Sequence, residues 1–152
     1  MPAKVRQSSR QSEVDMSVDA VKKYLRKWDK QEDVLEFDSS SATVELAAQA
    51  LGVERERIAK TISLQYEDSA ILIVTAGDAK IDNKKFKAQF ETKAKMLAPE
   101  DVLKFIGHAV GGVCPFANPE HVEVYLDESM KRFEVVYPAA GSSNSAIPVT
   151  CD

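Results

Sequence analysis

Apolar residues recur with helical spacing near the start of this chain. One face of the predicted helix carries Val18, Val21, Leu25 and Trp28. Ser17 precedes this face and is suited to cap the helix N-terminus. Basic residues lie on or near the opposite face, where a solvated helix surface is favoured over an RNA-binding patch. The preceding residues 1–15 are polar and without periodicity, so we expect a loose tail followed by one domain over residues 16–152.

Three further segments have helical patterns with matching start or stop signals. They cover residues 43–51, 82–90 and 99–106. Gly52 and Gly107 follow the first and the last of these segments, where a left-handed residue commonly ends a helix.

Alternating or continuous apolar residues predict strands elsewhere in the chain. The predicted strands are residues 33–38, 58–66, 69–75, 121–125, 132–136 and 146–149. Residues 69–75 are almost wholly apolar, which predicts a central position in a sheet. Because strands and helices are interspersed, we expect a single α/β domain of the α+β type, with a mixed sheet packed by helices.

Composition excludes several classes of function. The 152 residues carry a net charge of −4 and a sequence pI of about 5.3, so any RNA contact should be local rather than a broad basic surface. No apolar run approaches the roughly 20 residues that cross a bilayer, and the N-terminus lacks the apolar core of a signal peptide. We therefore expect a cytoplasmic protein that makes no membrane contact.

Three local features could carry chemistry. Gly111 and Gly112 could cradle a ligand with their main-chain N–H groups, although the glycines alone favour a simple tight loop between two elements. Lys60 shares one side of its strand with apolar neighbours, so it either faces solvent or points into a pocket. Small-residue loops before and after residues 121–136 could gather at one end of the sheet, with Asp127 and Ser129 between the two predicted strands.

Two other constellations are rejected from the residues alone. Cys114 with His108 suggests a thiol nucleophile and its base, but no orienting acid is identified and a proline follows the cysteine. The cysteines and histidines show no metal-ligand spacing, and no nucleotide-binding loop is present. We therefore expect no metal and no cofactor.

Several motifs, in this order and at these spacings, resemble the YbaK-type family of aminoacyl-tRNA editing domains. The segments that carry the resemblance are residues 47–53 (AAQALGV), 58–61 (IAKT), 111–116 (GGVCPF), 137–141 (YPAAG) and 144–147 (NSAI). The resemblance implies a mixed, strongly bent, partly barrel-like sheet surrounded by helices. It also implies hydrolysis of the ester that joins a wrong amino acid, such as alanine or cysteine, to the 3′ end of proline tRNA.

The same resemblance implies roles for individual residues. The expected catalytic residues are Lys60, Gly111 and Gly112. The expected substrate-binding residues are Thr61, Cys114, Pro115, Asp127 and Ser129. Position 114 is often serine in the family, so the cysteine leaves the preferred amino acid open. The best basic patch for the rest of the tRNA contains Lys84, Lys85 and Lys87.

The resulting hypothesis is a deacylase that acts in trans on mischarged tRNA, with Cys- or Ala-tRNA(Pro) as the expected substrate. The expected partners are the 3′ acceptor end of tRNA and, as a further candidate, prolyl-tRNA synthetase. The alternatives are a non-catalytic module that binds aminoacyl-tRNA or a nucleotide alongside a synthetase, and a thiol hydrolase built on Cys114.

Overall fold

A computed structural model describes residues 18–108, 112–119 and 121–150. The predicted tail, the predicted cap at Ser17 and the predicted site residue Gly111 lie outside these ranges. Within the described ranges, no helix is both long enough and apolar enough to span a bilayer.

The secondary structure of the described residues consists of helices and strands in mixed order. The helices are α1 (18–25), α2 (Val44–Leu51), α3 (Asn83–Phe90) and α4 (Pro99–Ile106). The strands are β1 (Leu35–Glu36), β2 (Ile58–Tyr66), β3 (Ser69–Ala76), β4 (Glu123–Leu126), β5 (Tyr137–Pro138) and β6 (Ser145–Ala146).

A mixed sheet in the order β4–β3–β2–β5 forms the centre of the fold. β2 and β3 form an antiparallel hairpin, while β4 runs parallel to β3 and β5 runs parallel to β2. β1 and β6 form a separate two-stranded antiparallel ladder. The predictions of a mixed sheet and of a central strand over residues 69–75 are therefore confirmed.

The central strand β3 is buried on both faces, as its continuous apolar sequence predicts. Leu72 packs with Val102 of α4, and Ile71 packs with Phe86 of α3. Successive side chains of a strand point to opposite faces, so α3 and α4 cover opposite sides of the hairpin.

Local signals define the helix ends. The side chain of Thr43 accepts a hydrogen bond at the N-terminus of α2, and that of Asp82 does the same for α3. Gly52 and Gly107 end α2 and α4 with φ values of 69° and 86°, a conformation that L side chains adopt only with strain.

The predicted strand over residues 132–136 is wrong. A 3₁₀ turn covers Glu128–Arg132, and Asp127 caps this turn by accepting a hydrogen bond from the Ser129 main chain. Beyond the turn, Val136 makes only an isolated bridge with Val149 before β5 begins. The capped turn takes up Arg132, the first residue of the predicted strand, and delays pairing until Val136.

Trp28 also departs from its predicted position. The helical stretch ends at residue 25, and Arg26–Trp28 continue as a 3₁₀ turn. This change of pitch takes Trp28 off the buried face, and 55% of its surface remains exposed. Val18, Val21 and Leu25 are buried as predicted.

Two predicted strands are shorter than expected. Of residues 33–38, only Leu35–Glu36 pair with a neighbouring strand, and both are exposed. At the C-terminal end, pairing covers Ser145–Ala146 rather than residues 146–149.

Candidate active site

A cavity of about 410 Å³ opens beside the first half of β2. Its walls come from α2 and the segment before it, from β2, from α4, and from the two small-residue loops. Representative lining residues are Val44, Ala47, Lys60, Thr61, Ile62, Val102, Val113, Tyr137 and Ser145. The volume suits a small ligand of the size that enzyme clefts commonly accept.

Lys60 lies in the wall of this cavity, half-buried on β2. The sequence left open whether Lys60 faces solvent or a pocket, and the structure shows that it borders a pocket. Ile58 and Ile62, the neighbours on the same side of the strand, line the same cavity. Lys60 lies opposite Thr75 of β3, so the lysine stands within the paired part of the β2–β3 hairpin.

The surroundings of Lys60 disfavour its charged form. Burial lowers the pKa of the Lys60 ammonium, and the positive charge of Arg55 lowers it further. Lys80 acts in the same direction, whereas Asp78 and Glu45 oppose the change. Among the described residues, no hydrogen bond or ion pair engages the Lys60 side chain. This lysine is therefore available to bind an anionic group.

Thr61 also borders the cavity, and its hydroxyl oxygen is buried without a hydrogen-bond partner among the described residues. An unsatisfied buried hydroxyl costs about 1–3 kcal/mol. A ligand that hydrogen-bonds this hydroxyl would remove that cost. Lys60 and Thr61 thus both belong to the lining of this cavity, the first with an unpaired charge and the second with a buried hydroxyl that lacks a partner among the described residues.

The two small-residue loops meet at Gly112. A Cβ atom at this position would lie 2.6 Å from the Gly141 carbonyl carbon and 2.6 Å from the Ser142 nitrogen. Real Cβ atoms essentially never approach other atoms so closely, so only glycine fits. Val113, the next residue, lines the cavity. This contact confirms the prediction that the two small-residue loops lie together.

A buried polar network holds the second loop. Ser142 Oγ lies 2.8 Å from both Asn144 Oδ1 and Ser145 Oγ. The Asn144 side chain in turn donates to the Phe37 carbonyl at 2.9 Å. Sequence reasoning assigned no site role to these residues. The cluster of small polar residues at 141–145 was the sequence signal for this network. Nothing in the sequence indicated that Asn144 would bond to Phe37, which is far away in the chain.

Cys114 lies behind the cavity wall. Its side chain is fully buried with Val21 and Leu25 of α1, and it does not line the cavity. The sulfur is 3.6 Å from His108 Nε2 and donates to the Phe116 carbonyl at 3.7 Å. Burial raises the pKa of the Cys114 thiol to about 12, so the thiol stays protonated at neutral pH.

Other predicted site residues lie away from the cavity. Asp127 caps the 3₁₀ turn, and Ser129 accepts a hydrogen bond from the Ala76 main chain at 3.0 Å. Pro115 borders a second cavity instead of the first. The lysines of the predicted tRNA patch are exposed on α3 and do not line the cavity; they are Lys84, Lys85 and Lys87.

Burial of Cys114 leads to a prediction about alkylation. In the native protein, iodoacetamide should modify Cys114 at least about 100-fold more slowly than in the urea-unfolded chain, because both thiolate content and access are low. Peptide mass spectrometry after timed quenching scores Cys114 separately from Cys151. Equal native and unfolded rates, with loss of activity on modification, would instead support thiol catalysis.

Comparison with known proteins agrees with this geometry. The family model described as "Aminoacyl-tRNA editing domain" matches residues 38–152. YwhH of Bacillus subtilis (strain 168), an uncharacterised protein, is 54% identical over 136 residues, which are 89% of this chain and 87% of YwhH. EbsC of Enterococcus faecalis, provisionally named a Cys-tRNA(Pro)/Cys-tRNA(Cys) deacylase, is 28% identical over 107 residues, 69% of this chain and 65% of EbsC.

A solved structure shows the same architecture. It belongs to a protein provisionally described as a trans-editing enzyme for prolyl-tRNA synthetase, and it matches with a TM-score of 0.79 at 28% identity. The match covers 88% of this chain and 86% of the other. The predicted fold class, a mixed and bent sheet surrounded by helices, is thereby confirmed.

Proposed function

We propose, from the premise that the chain belongs to the aminoacyl-tRNA editing domain family, that it hydrolyses the ester of mischarged tRNA in trans. The observation that carries the proposal is the cavity wall at Lys60–Thr61, where a half-buried lysine and a buried hydroxyl both lack partners among the described residues. A ligand that supplies both an anion and a hydrogen-bonding group could satisfy both. The 3′ end of an aminoacyl-tRNA has these groups, as a phosphate and an ester.

The reaction needs little beyond orientation and charge stabilisation. A water oxygen attacks the ester carbonyl carbon, and the bond between that carbon and the ribose oxygen breaks. The ribose oxygen gains a proton, and the amino acid leaves as its carboxylate. Lys60 would hold the terminal phosphate or the developing oxyanion, and main-chain N–H groups at Gly112 would orient the carbonyl.

The form of the cavity supports a small amino acid as the leaving group. Val113 lines the wall and follows Gly112, whose main chain packs against Gly141, so this part of the wall cannot move outward for a larger side chain without moving two loops. We propose cysteine or alanine attached to proline tRNA as the substrate. The name of EbsC and the description of the solved trans-editing protein support this choice.

Contact with the remainder of the tRNA is proposed for α3. Lys84, Lys85 and Lys87 are exposed and make no ion pair with any described residue. Simultaneous charge reversal at Lys84 and Lys85 that left tRNA affinity unchanged would remove α3 from the interface.

A panel of charged tRNAs tests the proposed function. The purified protein should release alanine or cysteine from proline tRNA and leave correctly attached proline in place. Loss of ester is followed by acid precipitation over time, with protein-free samples correcting for spontaneous hydrolysis. Tight tRNA binding without release of any amino acid, across a wider panel of mischarged tRNAs, would favour the non-catalytic binding module.

A further inference from the structure

A second cavity of about 360 Å³ lies beside the first. Ala59 of β2 contributes to the walls of both cavities. The loop that begins at Gly112 also serves both, because Val113 lines the first cavity and Phe116 lines the second. The two cavities are therefore neighbours that share part of their walls.

Three aromatic rings follow one another along this second cavity. The ring centroids of Tyr24 and Trp28 are 5.2 Å apart, and those of Tyr24 and Phe116 are 6.4 Å apart. Trp28 forms the outer end of the row, with 55% of its surface exposed. Large exposed aromatic rings beside an apolar cavity commonly mark a binding surface.

Lysine side chains lie beside these rings and the cavity. Among the described lining residues, Lys30 is the only charged one. Lys27 Nζ lies 5.1 Å from the centroid of the Tyr24 ring. Asp29 is adjacent to Trp28 in the chain but does not line the cavity. Aromatic rings flanked by lysines are a combination that binds single-stranded nucleic acid, since bases stack on the rings and phosphates meet the cations.

We propose that the platform formed by Tyr24, Trp28 and Phe116 stacks an unpaired nucleobase from the 3′ end of the tRNA. This inference rests on the proposed function, because it uses the position of the platform beside the cavity that would hold the aminoacyl ester. The platform would add affinity through base stacking and hold the RNA end in register, while Lys27 and Lys30 meet the backbone. It also gives a use to the ring of Trp28, which the 3₁₀ turn leaves exposed at the edge of the cavity.

The test uses the intrinsic fluorescence of Trp28, the single tryptophan of the chain. A short unpaired RNA ending in CCA should quench this fluorescence, and the same RNA within a duplex should quench it much less. Trp28→Ala should weaken binding of the labelled unpaired RNA by about 5- to 150-fold, the range for loss of one stacked base. Trp28→Phe keeps an aromatic ring at this position and should retain most of the affinity for the unpaired RNA.

A matched control comes from Leu126, which lines the same cavity and is also 55% exposed. Leu126→Ala removes apolar surface without removing a ring, so it should change RNA affinity by less than about 3-fold if stacking is the interaction. In deacylation assays, Trp28→Ala should raise KM and leave kcat near the original value, since the ring lies outside the ester cavity.

The outcomes separate this inference from the proposed function. Hydrolysis of mischarged tRNA without quenching, and with unchanged KM in Trp28→Ala, would overturn the platform and leave the deacylase. Quenching without hydrolysis would overturn the deacylase and support the platform. Concentration-dependent self-association that disappears in Trp28→Ala, with no RNA quenching, would overturn the platform by showing that a second copy covers these rings.

Discussion

Replacing Lys60 with alanine is expected to lower kcat/KM for mischarged tRNA by about 100-fold or more. Lys60 supplies the unpaired positive charge in the wall of the candidate ester cavity, and loss of one such preorganised group typically costs 10²–10³ in rate. Steady-state deacylation of the amino acid identified by the tRNA panel provides the measurement. Unchanged kcat/KM would exclude Lys60 from the mechanism.

A second substitution at the same position separates activity from folding. Lys60→Met keeps most of the side-chain length without the charge. Burial lowers the pKa of Lys60 in the folded state, so the unfolded chain holds the proton more tightly than the folded protein does. At neutral pH the charge therefore opposes folding, and Lys60→Met should be at least as resistant to urea as the original protein while lacking activity. A variant that was inactive because it had unfolded would contradict this account.

The pH dependence of binding gives an independent readout of the same charge. As pH rises toward the lowered pKa, Lys60 loses its proton earlier than an ordinary lysine, so affinity for the RNA end should fall. A tRNA carrying an amide-linked amino acid is the suitable ligand, because esters hydrolyse spontaneously in alkali. Lys60→Arg stays charged throughout this range and should lose the alkaline decline.

Elements with local signals could be predicted from the sequence almost to the residue. β2 spans the predicted 58–66, and α4 spans the predicted 99–106 with proline at its first turn and glycine after its end. Both depend on patterns within the segment, namely apolar spacing and residues with restricted backbone conformations. The sequence therefore sufficed wherever the segment determines its own structure.

The failures involve contacts that the local pattern does not contain. Residues 132–136 alternate like a strand, but Asp127 caps a 3₁₀ turn and leaves Val136 with only an isolated bridge to Val149. Trp28 fits a helical face, but the helical stretch ends three residues earlier. In each case a neighbouring turn overrides the periodicity.

The candidate site shows the same division. Alternation along β2 indicated that Lys60 shares a side with apolar neighbours, and the structure places all of them along one cavity. The contact of Gly112 with Gly141 joins parts of the chain that are far apart in sequence, and the polar network from Ser142 to Phe37 is longer still in sequence separation. The small-residue composition of the two loops had indicated that they could gather at one end of the sheet, but not which residues would touch.

Replacing Gly112 with alanine is expected to cause the second large loss of activity. The added methyl group would stand 2.6 Å from main-chain atoms of Gly141 and Ser142, which cannot yield without moving the loop that carries Ser145 into the cavity wall. Overpacking of this kind typically costs about 1–3 kcal/mol of stability. We expect the free energy of unfolding to fall by this amount, and kcat/KM to fall by about 10-fold or more because a displacement of about 1 Å disrupts substrate alignment.

The comparison with Gly52→Ala distinguishes local geometry from general destabilisation. Gly52 ends α2 with a left-handed φ of 69°, and a Cβ there would meet nothing within 4 Å. Gly52→Ala should therefore lose about 1 kcal/mol of stability through backbone strain and keep its kcat/KM. Urea unfolding and deacylation are measured on both variants at a temperature where both are folded. If the two variants lost activity in proportion to stability, the close packing of Gly112 on Gly141 would have no specific part in catalysis; a loss confined to Gly112→Ala would tie the cavity to this contact.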